Sequence, residues 1–297
     1  MNRNIHVHLR LLLACTGIAA AAHGQSPRWA AGFANTSASV GISEVVAFDA
    51  GSGERLYVCS FDQFQLSNPP MIRRHDGVVW DDFHVALDGR AFASAVWNDG
   101  TGSALYLAGG FTQVDGVAAS HVARYDGTSF APLGGGLSGD VTALAVHDDG
   151  GGAALYAVGL FNSAGGNATN GVARWDGATW TAIAGLGGSP VDVVSFDDGS
   201  GPALYVAGDL LGPGGTSPNV ARWNGSSWTY MPFLENGEAT ALCVHDDGSG
   251  PALYAANSTS SSFNQVVRWN GTFWTSVGPV LNGQVYDLAS STVGGPG

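Results

Sequence analysis

The residues with the greatest chemical potential stand in short acidic turns. Asp99-Gly100, Asp148-Asp149-Gly150, Asp197-Asp198-Gly199 and Asp246-Asp247-Gly248 concentrate carboxylate oxygens beside glycine. Calcium takes six to eight such ligands. These turns lack the Asp-x-Asp-x-Asp-Gly run and distal Glu of a dedicated calcium loop, so hairpin turns are the first reading. No cofactor is expected, and calcium is the alternative the turns leave open. Beyond the first 24 residues histidine stands at His75, His84, His121, His147 and His245. His147 and His245 occupy equivalent places before two separate acidic turns, so they should not share a metal. Serine catalysis of the hydrolase type wants a strained Gly-x-Ser-x-Gly turn, and the chain has none. Cys59 and Cys243 lie in the strand-like runs Leu-Tyr-Val-Cys and Ala-Leu-Cys-Val, where a free thiol behaves as a small hydrophobe. Two buried free thiols are expected, with one bridge as the alternative; without a Cys-x-x-Cys partner they make no zinc site. No catalytic, cofactor-binding or metal residue is assigned, and the ligand-binding residues stay unknown at this level.

Composition excludes several classes. The 297 residues carry 24 Asp and Glu against 11 Arg and no Lys, a net charge of −13, with 45% hydrophobic and only 12% charged. Nucleic-acid binding draws its affinity from neutralising phosphates, so this acidity argues against it. The apolar share is too high for a disordered chain. Glycine is abundant, at 45 residues, but follows no Gly-X-Y period, which excludes collagen.

The first residues read as an address. Arg3 and Arg10 mark a basic opening, Leu11 to Ala22 is apolar, and Ala22-His23-Gly24 supplies small residues at cleavage offsets. That pattern is a secretory signal peptide over residues 1–24, with cleavage before Gln25. The run is shorter than the roughly twenty residues a membrane span needs, and no later segment is long and apolar enough. Leu12-Leu13-Ala14-Cys15 resembles a lipoprotein box, but only about four apolar residues precede the cysteine, too few for that route. Losing the signal removes two Arg and no acid. The mature chain is expected to be secreted or held at the cell surface.

The remainder is one unit written five times. Leu-Tyr recurs at Leu56, Leu105, Leu155, Leu204 and Leu253, in steps of 49 or 50. Arg-x-(Asp/Asn)-Gly recurs at Arg74, Arg124, Arg174, Arg222 and Arg268, each followed by an aromatic: Trp80, Phe130, Trp180, Trp228 and Trp274. Such periods mark repeat architectures. In the third copy Val141–Val146 reads as a strand, His147–Gly152 as a turn, and Ala154–Val158 as a second strand. Val172–Trp175 and Thr179–Ile183 then flank a tight Asp176-Gly177 hairpin, whose positive φ Asp and Gly tolerate. No long stretch after Gln25 keeps a helical period, so the mature protein is expected to be all-β. Four strands per unit of about 49 residues point to a β-propeller, in which neighbouring blades bury each other's faces. The recurrent Trp and Tyr are then filler between blades. The recurrent Arg should reach an acidic group in a nearby turn or blade, since a residue present in every copy marks no single site.

Gly109-Gly110, Tyr125 and Phe130, with Trp175 and Trp180 in the next copy, resemble the kelch repeat. Similarity extends more loosely to galactose-oxidase-like propellers and to repeat arrays of large secreted bacterial proteins. The likeness covers Trp29 to Gly297, although the double glycine is complete only in the second copy. It implies the propeller fold and little about activity. Asp176-Gly-Ala-Thr-Trp180 resembles the Asp-box of sialidase blades but is one residue short, and no tyrosine nucleophile with an arginine cluster accompanies it. A copper site of the oxidase type would need converging His, Tyr and Cys, which the scattered histidines do not supply.

Blade units are placed at about 40–80, 90–133, 140–183, 190–232 and 239–277 within a domain of 25–297. Val285-Tyr-Asp-Leu288 opens a sixth copy, and Pro296 falls where Pro202 and Pro251 fall. A ring would then close through the Trp29 strand, and the expectation is a truncated chain with an incomplete ring. The Asp-Gly turns are nearly identical between copies. The loops Ser60–Pro70, Gly110–Ser120, Leu160–Gly171, Asp209–Asn219 and Asn257–Gln265 diverge, and specificity belongs where copies diverge. The leading expectation is a non-enzymatic binding, adhesion or scaffold module for an extracellular glycan or protein. The alternative is an oxidase or glycan-active enzyme with its site in the central funnel, completed by missing C-terminal blades. Sequons such as Asn167-Ala-Thr169 and Asn257-Ser-Thr259 matter only if the host glycosylates them.

Overall fold

The computed structural model describes residues 40–62, 70–212, 216–232, 238–258, 264–281, 283, 285 and 287–290. The signal segment, Trp29 and Pro296 lie outside the described residues. Every regular element within them is a strand. The first sheet holds β1 (Val40–Asp49), β2 (Glu54–Asp62), β3 (Met71–His75) and β4 (Trp80–Ala86). Next come β5 (Ala91–Asn98) and β6 (Ser103–Gly109), then a small hairpin of β7 (Gln113–Val114) and β8 (Val117–Ala118). The second sheet is completed by β9 (Val122–Tyr125) and β10 (Phe130–Pro132).

The third copy repeats this plan. It has β11 (Val141–Asp148), β12 (Ala153–Gly159), a hairpin of β13 (Ser163–Ala164) and β14 (Asn167–Ala168), then β15 (Val172–Trp175) and β16 (Trp180–Ala182). The fourth sheet holds β17 (Gly187–Asp197), β18 (Pro202–Leu211), β19 (Val220–Trp223) and β20 (Trp228–Tyr230). The fifth holds β21 (Glu238–Asp246), β22 (Pro251–Ser258), β23 (Asn264–Trp269) and β24 (Trp274–Leu281). Each copy is thus one four-stranded antiparallel meander, with strands side by side in chain order. The chain forms two compact units, Met1–Leu133 with Ala289–Gly297, and Gly134–Leu288.

A shared irregularity ties the copies together. The register slips once near the start of every first strand, between Ile42/Glu44, Ala91/Ala93, Val141/Ala143, Pro190/Asp192 and Ala239/Ala241. This bulge turns a backbone carbonyl toward the end of the second strand. A Cβ on Gly109, Gly159 or Gly208 would come within 2.1, 2.2 or 2.3 Å of the carbonyl oxygen of Arg90, Asp140 or Ser189. Only glycine fits such an approach. This explains the first glycine of the Gly-Gly signature in copies two to four.

Burial follows strand position. The first strand alternates, as Val141–Asp148 does, with one face inward. The second strand does not: in β6 and β12 the six residues after the first are all buried. Both faces must therefore be apolar and both must be covered. In the first unit Phe48, Tyr57 and Ile72 of one sheet meet Leu105, Tyr125 and Phe130 of the next. The Tyr57 and Tyr125 rings lie edge to face at 6.0 Å. In the second unit Ala145, Tyr156 and Val158 pack on Val193, Val206 and Trp223. Phe196, Tyr205 and Ala207 then pack on Leu242, Leu253 and Val267. Each buried aliphatic side chain contributes about 1.5–3 kcal/mol.

Beyond β24, Val285 is buried against Ala241 and Ala256 on the fifth sheet. The Thr240 hydroxyl donates to the carbonyl of Val285 at 2.5 Å. Its counterpart Thr142 shares its proton between the carbonyl of Val158, at 3.1 Å, and that of Pro190, at the start of the fourth sheet's first strand, at 3.2 Å. Val285 therefore stands against the fifth sheet as Pro190 stands against the third. Replacing either hydroxyl removes the same link, so Thr142→Val and Thr240→Val should each cost about 1 kcal/mol in urea unfolding. A loss at Thr142 with none at Thr240 would show that Val285 is not seated this way.

Candidate functional site

The acidic turns bind their own chain. Asp148 Oδ1 accepts the N–H groups of Gly150 and Gly152, each at 2.9 Å. The second carboxylate, Asp149, accepts the Tyr156 hydroxyl at 2.7 Å and lies 3.7 Å from Arg174 Nε. The cluster recurs as Asp99 with Tyr106 and Arg124 (2.9 and 3.2 Å) and as Asp247 with Tyr254 and Arg268 (3.1 and 3.6 Å). In the fourth copy Arg222 Nε donates to the Tyr205 hydroxyl at 3.1 Å and stands 3.9 Å from Asp198. The recurrent arginine thus meets the acidic turn of its own sheet. The tyrosine, expected only as filler, anchors the turn through its hydroxyl. The first copy has Ala50 at the second acidic position, and Arg74 takes Asp81 of β4 instead, at 2.6 Å.

These contacts shape the electrostatics. Burial opposes the charge of Asp99, but Thr101, Tyr106 and Arg124 outweigh it and hold the carboxyl below the usual range. Asp149 and Asp198 are lowered by the same balance. The Asp247 carboxyl falls to about 2, chiefly through Ser249, with Tyr254 assisting. Burial, reinforced by Asp99, pushes the Tyr106 hydroxyl up to about 12. A calcium ion would have to displace donors already in place. No cluster of three or more metal-ligating His, Cys, Asp or Glu stands together among the described residues. His147 is buried with Nδ1 2.8 Å from the Ser195 hydroxyl, while His121 Nδ1 lies 3.1 Å from the Gly109 carbonyl oxygen. Cys59 and Cys243 are free thiols; Cys59 is buried as expected, whereas Cys243 is only partly buried.

The loops between second and third strands behave differently from one copy to another. Parts of three (63–69, 213–215 and 259–263) lie outside the described residues. Gly110–Ser120 and Leu160–Gly171, unlike in sequence, fold alike. Each contains a two-residue-a-side hairpin. Asp115-Gly116 in one and Gly165-Gly166 in the other supply the positive φ at its tip. Phe111 and Phe161 are buried beneath them. A polar latch secures each loop. Asp88 accepts from the N–H groups of Thr112 and Gln113 at 2.7 and 2.8 Å. The Ser138 hydroxyl accepts from the N–H groups of Asn162 and Ser163, both at 3.0 Å, and donates to Asn162 Oδ1 at 2.9 Å.

The fourth copy lacks this latch. Counting from the bulge and its opposing glycine, Asp88/Thr112 and Ser138/Asn162 correspond to Gly187/Leu211. Those two residues pair directly as β17 and β18 run on. With no side chain at 187 and an alkyl group at 211, a cleft of about 460 Å³ opens between the third copy's loop and the fourth sheet. It is lined by Ser138, Gly159–Asn162, Thr169–Gly171, Gly187, Gly188 and Leu211. Leu160 and Leu211 are 58% and 56% exposed at its edge, whereas Phe161 is only 5% exposed. Gly171 is required where it stands, because a Cβ would meet the Gly159 carbonyl oxygen at 2.4 Å and φ is +76°.

The lining carries amides, hydroxyls and alkyl groups and no titratable side chain. The cleft can desolvate and hydrogen-bond a guest, but its side chains store no proton to exchange with it. Asn162 and Asn170 are exposed, and the Asn170 amide is unengaged among the described residues. Sequence reasoning placed specificity in these loops without finding the cleft. The signal was the change to Gly187 and Leu211, which shows only once the copies are aligned on the bulge.

No family model matches the chain, and no curated protein matches it. Several solved structures resemble the chain at low sequence identity, among them the following two. The crystal structure of the GH74 xyloglucanase from Xanthomonas campestris has 16% identity and a TM-score of 0.45 over 75% of this chain. The chain covers 36% of that enzyme's length. The SapL1 lectin in complex with alpha methyl fucoside has 15% identity and a TM-score of 0.44, with 80% of each chain covered.

The turn clusters make stability depend on pH in a defined direction. Carboxyls lowered by folding stabilise fully above about pH 4 and lose that contribution as pH falls through their folded values. Burial also lowers His75 and His147, so the unfolded chain gains protons there first, below about pH 6.5. The urea midpoint should be level near neutrality, sag below about pH 6.5 and drop steeply below about pH 4. A midpoint unchanged down to about pH 3 would contradict these assignments.

Proposed function

We propose that this chain is a secreted β-propeller serving as a non-enzymatic binding module, which holds an extracellular glycan or protein in the cleft between the third and fourth copies. Residues 1–24 route it out of the cell, and residues 25–297 form the propeller, with 284–297 opening a sixth blade. The observation that carries the binding reading is the cleft itself. Four copies of the turn cluster keep one arrangement, whereas the loop latch of copies two and three is replaced in copy four by a glycine and an exposed leucine. Repetition maintains a scaffold, and a departure that creates a concave surface is where a ligand gains purchase. An uncharged lining suits recognition better than acid–base chemistry, which needs a positioned proton donor or acceptor. Among the described residues no helix is long and apolar enough to cross a membrane.

The test is a binding screen of the mature chain against immobilised extracellular glycans and proteins, repeated with Asn170→Ala and Leu160→Ser. Saturable binding should weaken about fivefold in each variant, the effect of losing one hydrogen bond or one partly buried alkyl contact. Chemical turnover of the bound partner, or binding untouched by both substitutions, would overturn the reading.

A further inference from the structure

Resting on that reading, we infer that the cleft's ligand is an extended, uncharged peptide segment with an aliphatic side chain seated between Leu160 and Leu211. The two leucines come together only in this sequence context: the position of Leu160 is Phe61 in the first copy, Gly110 in the second and Asp209 in the fourth, and the position of Leu211 is Thr112 and Asn162 in the second and third copies. Both remain more than half exposed, and an alkyl group between them would remove their surfaces from water together.

Charge and shape narrow the guest further. The chain carries a net charge of −13, yet the cleft lining bears no charge, so it selects for a neutral group. A pyranose ring usually rests its C–H face on an exposed aromatic ring. Phe161 is the aromatic of this cleft and is almost wholly buried, so no such platform is offered. Gly187 carries no side chain where the third copy has Ser138, and a Cβ there would point at the Leu211 side chain, so this part of the wall admits another main chain closely. Each side-chain amide carries both donors and an acceptor, so Asn162 and Asn170 match the N–H and C=O of a peptide group. The volume suits about two or three residues.

The experiment uses the mature chain with two probe sets, followed by ligand-observed NMR. One set is the blocked tripeptides acetyl-Ala-Xaa-Ala-amide with Xaa as Leu, Ala or Asp; the other is neutral methyl glycosides. The Leu peptide should bind, the Ala peptide more weakly, and the Asp peptide and glycosides not at all. Gly187→Ser with Leu211→Asn rebuilds the latch of the third copy and should weaken the Leu peptide by about tenfold or more. Asn170→Ala, at an exposed position, gives a second reading should the double variant fail to fold, with a loss of about fivefold. Glycoside binding that depends on Leu211, with the peptides silent, would overturn the peptide assignment and leave the cleft as the binding site. Binding by neither set, or Leu-peptide binding that survives Asn170→Ala and any folded double variant, would overturn both.

Discussion

The central strand Ala153–Gly159 buries Leu155, Tyr156, Ala157 and Val158 to both sides at once, and this two-sided burial dictates most of what surrounds it. A four-stranded sheet with such a strand cannot stand alone, so it must be flanked by others. A tyrosine in that strand brings a hydroxyl toward the interior, and a buried hydroxyl needs a partner. Asp149 supplies it, and Arg174 offsets the charge of Asp149. Leu-Tyr, the acidic turn and the recurrent arginine are thus one physical requirement seen at three places in the chain. The first copy shows the consequence of breaking it. With Ala50 in the turn, Arg74 finds Asp81, and the Tyr57 hydroxyl is buried with no hydrogen bond among the described residues.

The same repetition makes departures informative. The loop hairpins of copies two and three keep their shape through positive φ at their tips and a buried phenylalanine, although few of their residues agree. Their latch uses a carboxylate in one and a hydroxyl in the other. Gly187 and Leu211 give up the latch altogether, and the space left over has an apolar edge and a polar floor. This change costs the scaffold little, because the turn clusters at the other ends of the strands are untouched.

Much of the architecture was legible in the residues. The spacing of Leu-Tyr and Arg-x-(Asp/Asn)-Gly pointed to five copies, and the dipeptide turns to four strands in each. The role of the second aspartate was not legible, because an Asp-Asp-Gly turn looks the same whether its carboxylate faces water or a buried phenol. Nor was the reason for the glycine ending the second strand, which answers to a carbonyl nineteen residues away in sequence. The cleft escaped notice for a related reason: it arises from a missing side chain at 187, and absence has no motif. Val285, from the Val285-Tyr-Asp-Leu288 run, accepts a hydrogen bond from the Thr240 hydroxyl of the fifth sheet.

Native-state hydrogen exchange on the mature chain tests the central claim most directly. If two-sided burial of the second strand holds the sheets of residues 134–288 together, the amides of Leu155 and Leu204 will exchange only through unfolding of that whole unit, at one shared free energy. Those of the fourth strands, such as Thr181 and Thr229, will open locally well below it. Second strands that exchange as readily as fourth strands, or sheet by sheet at unrelated rates, would contradict the account.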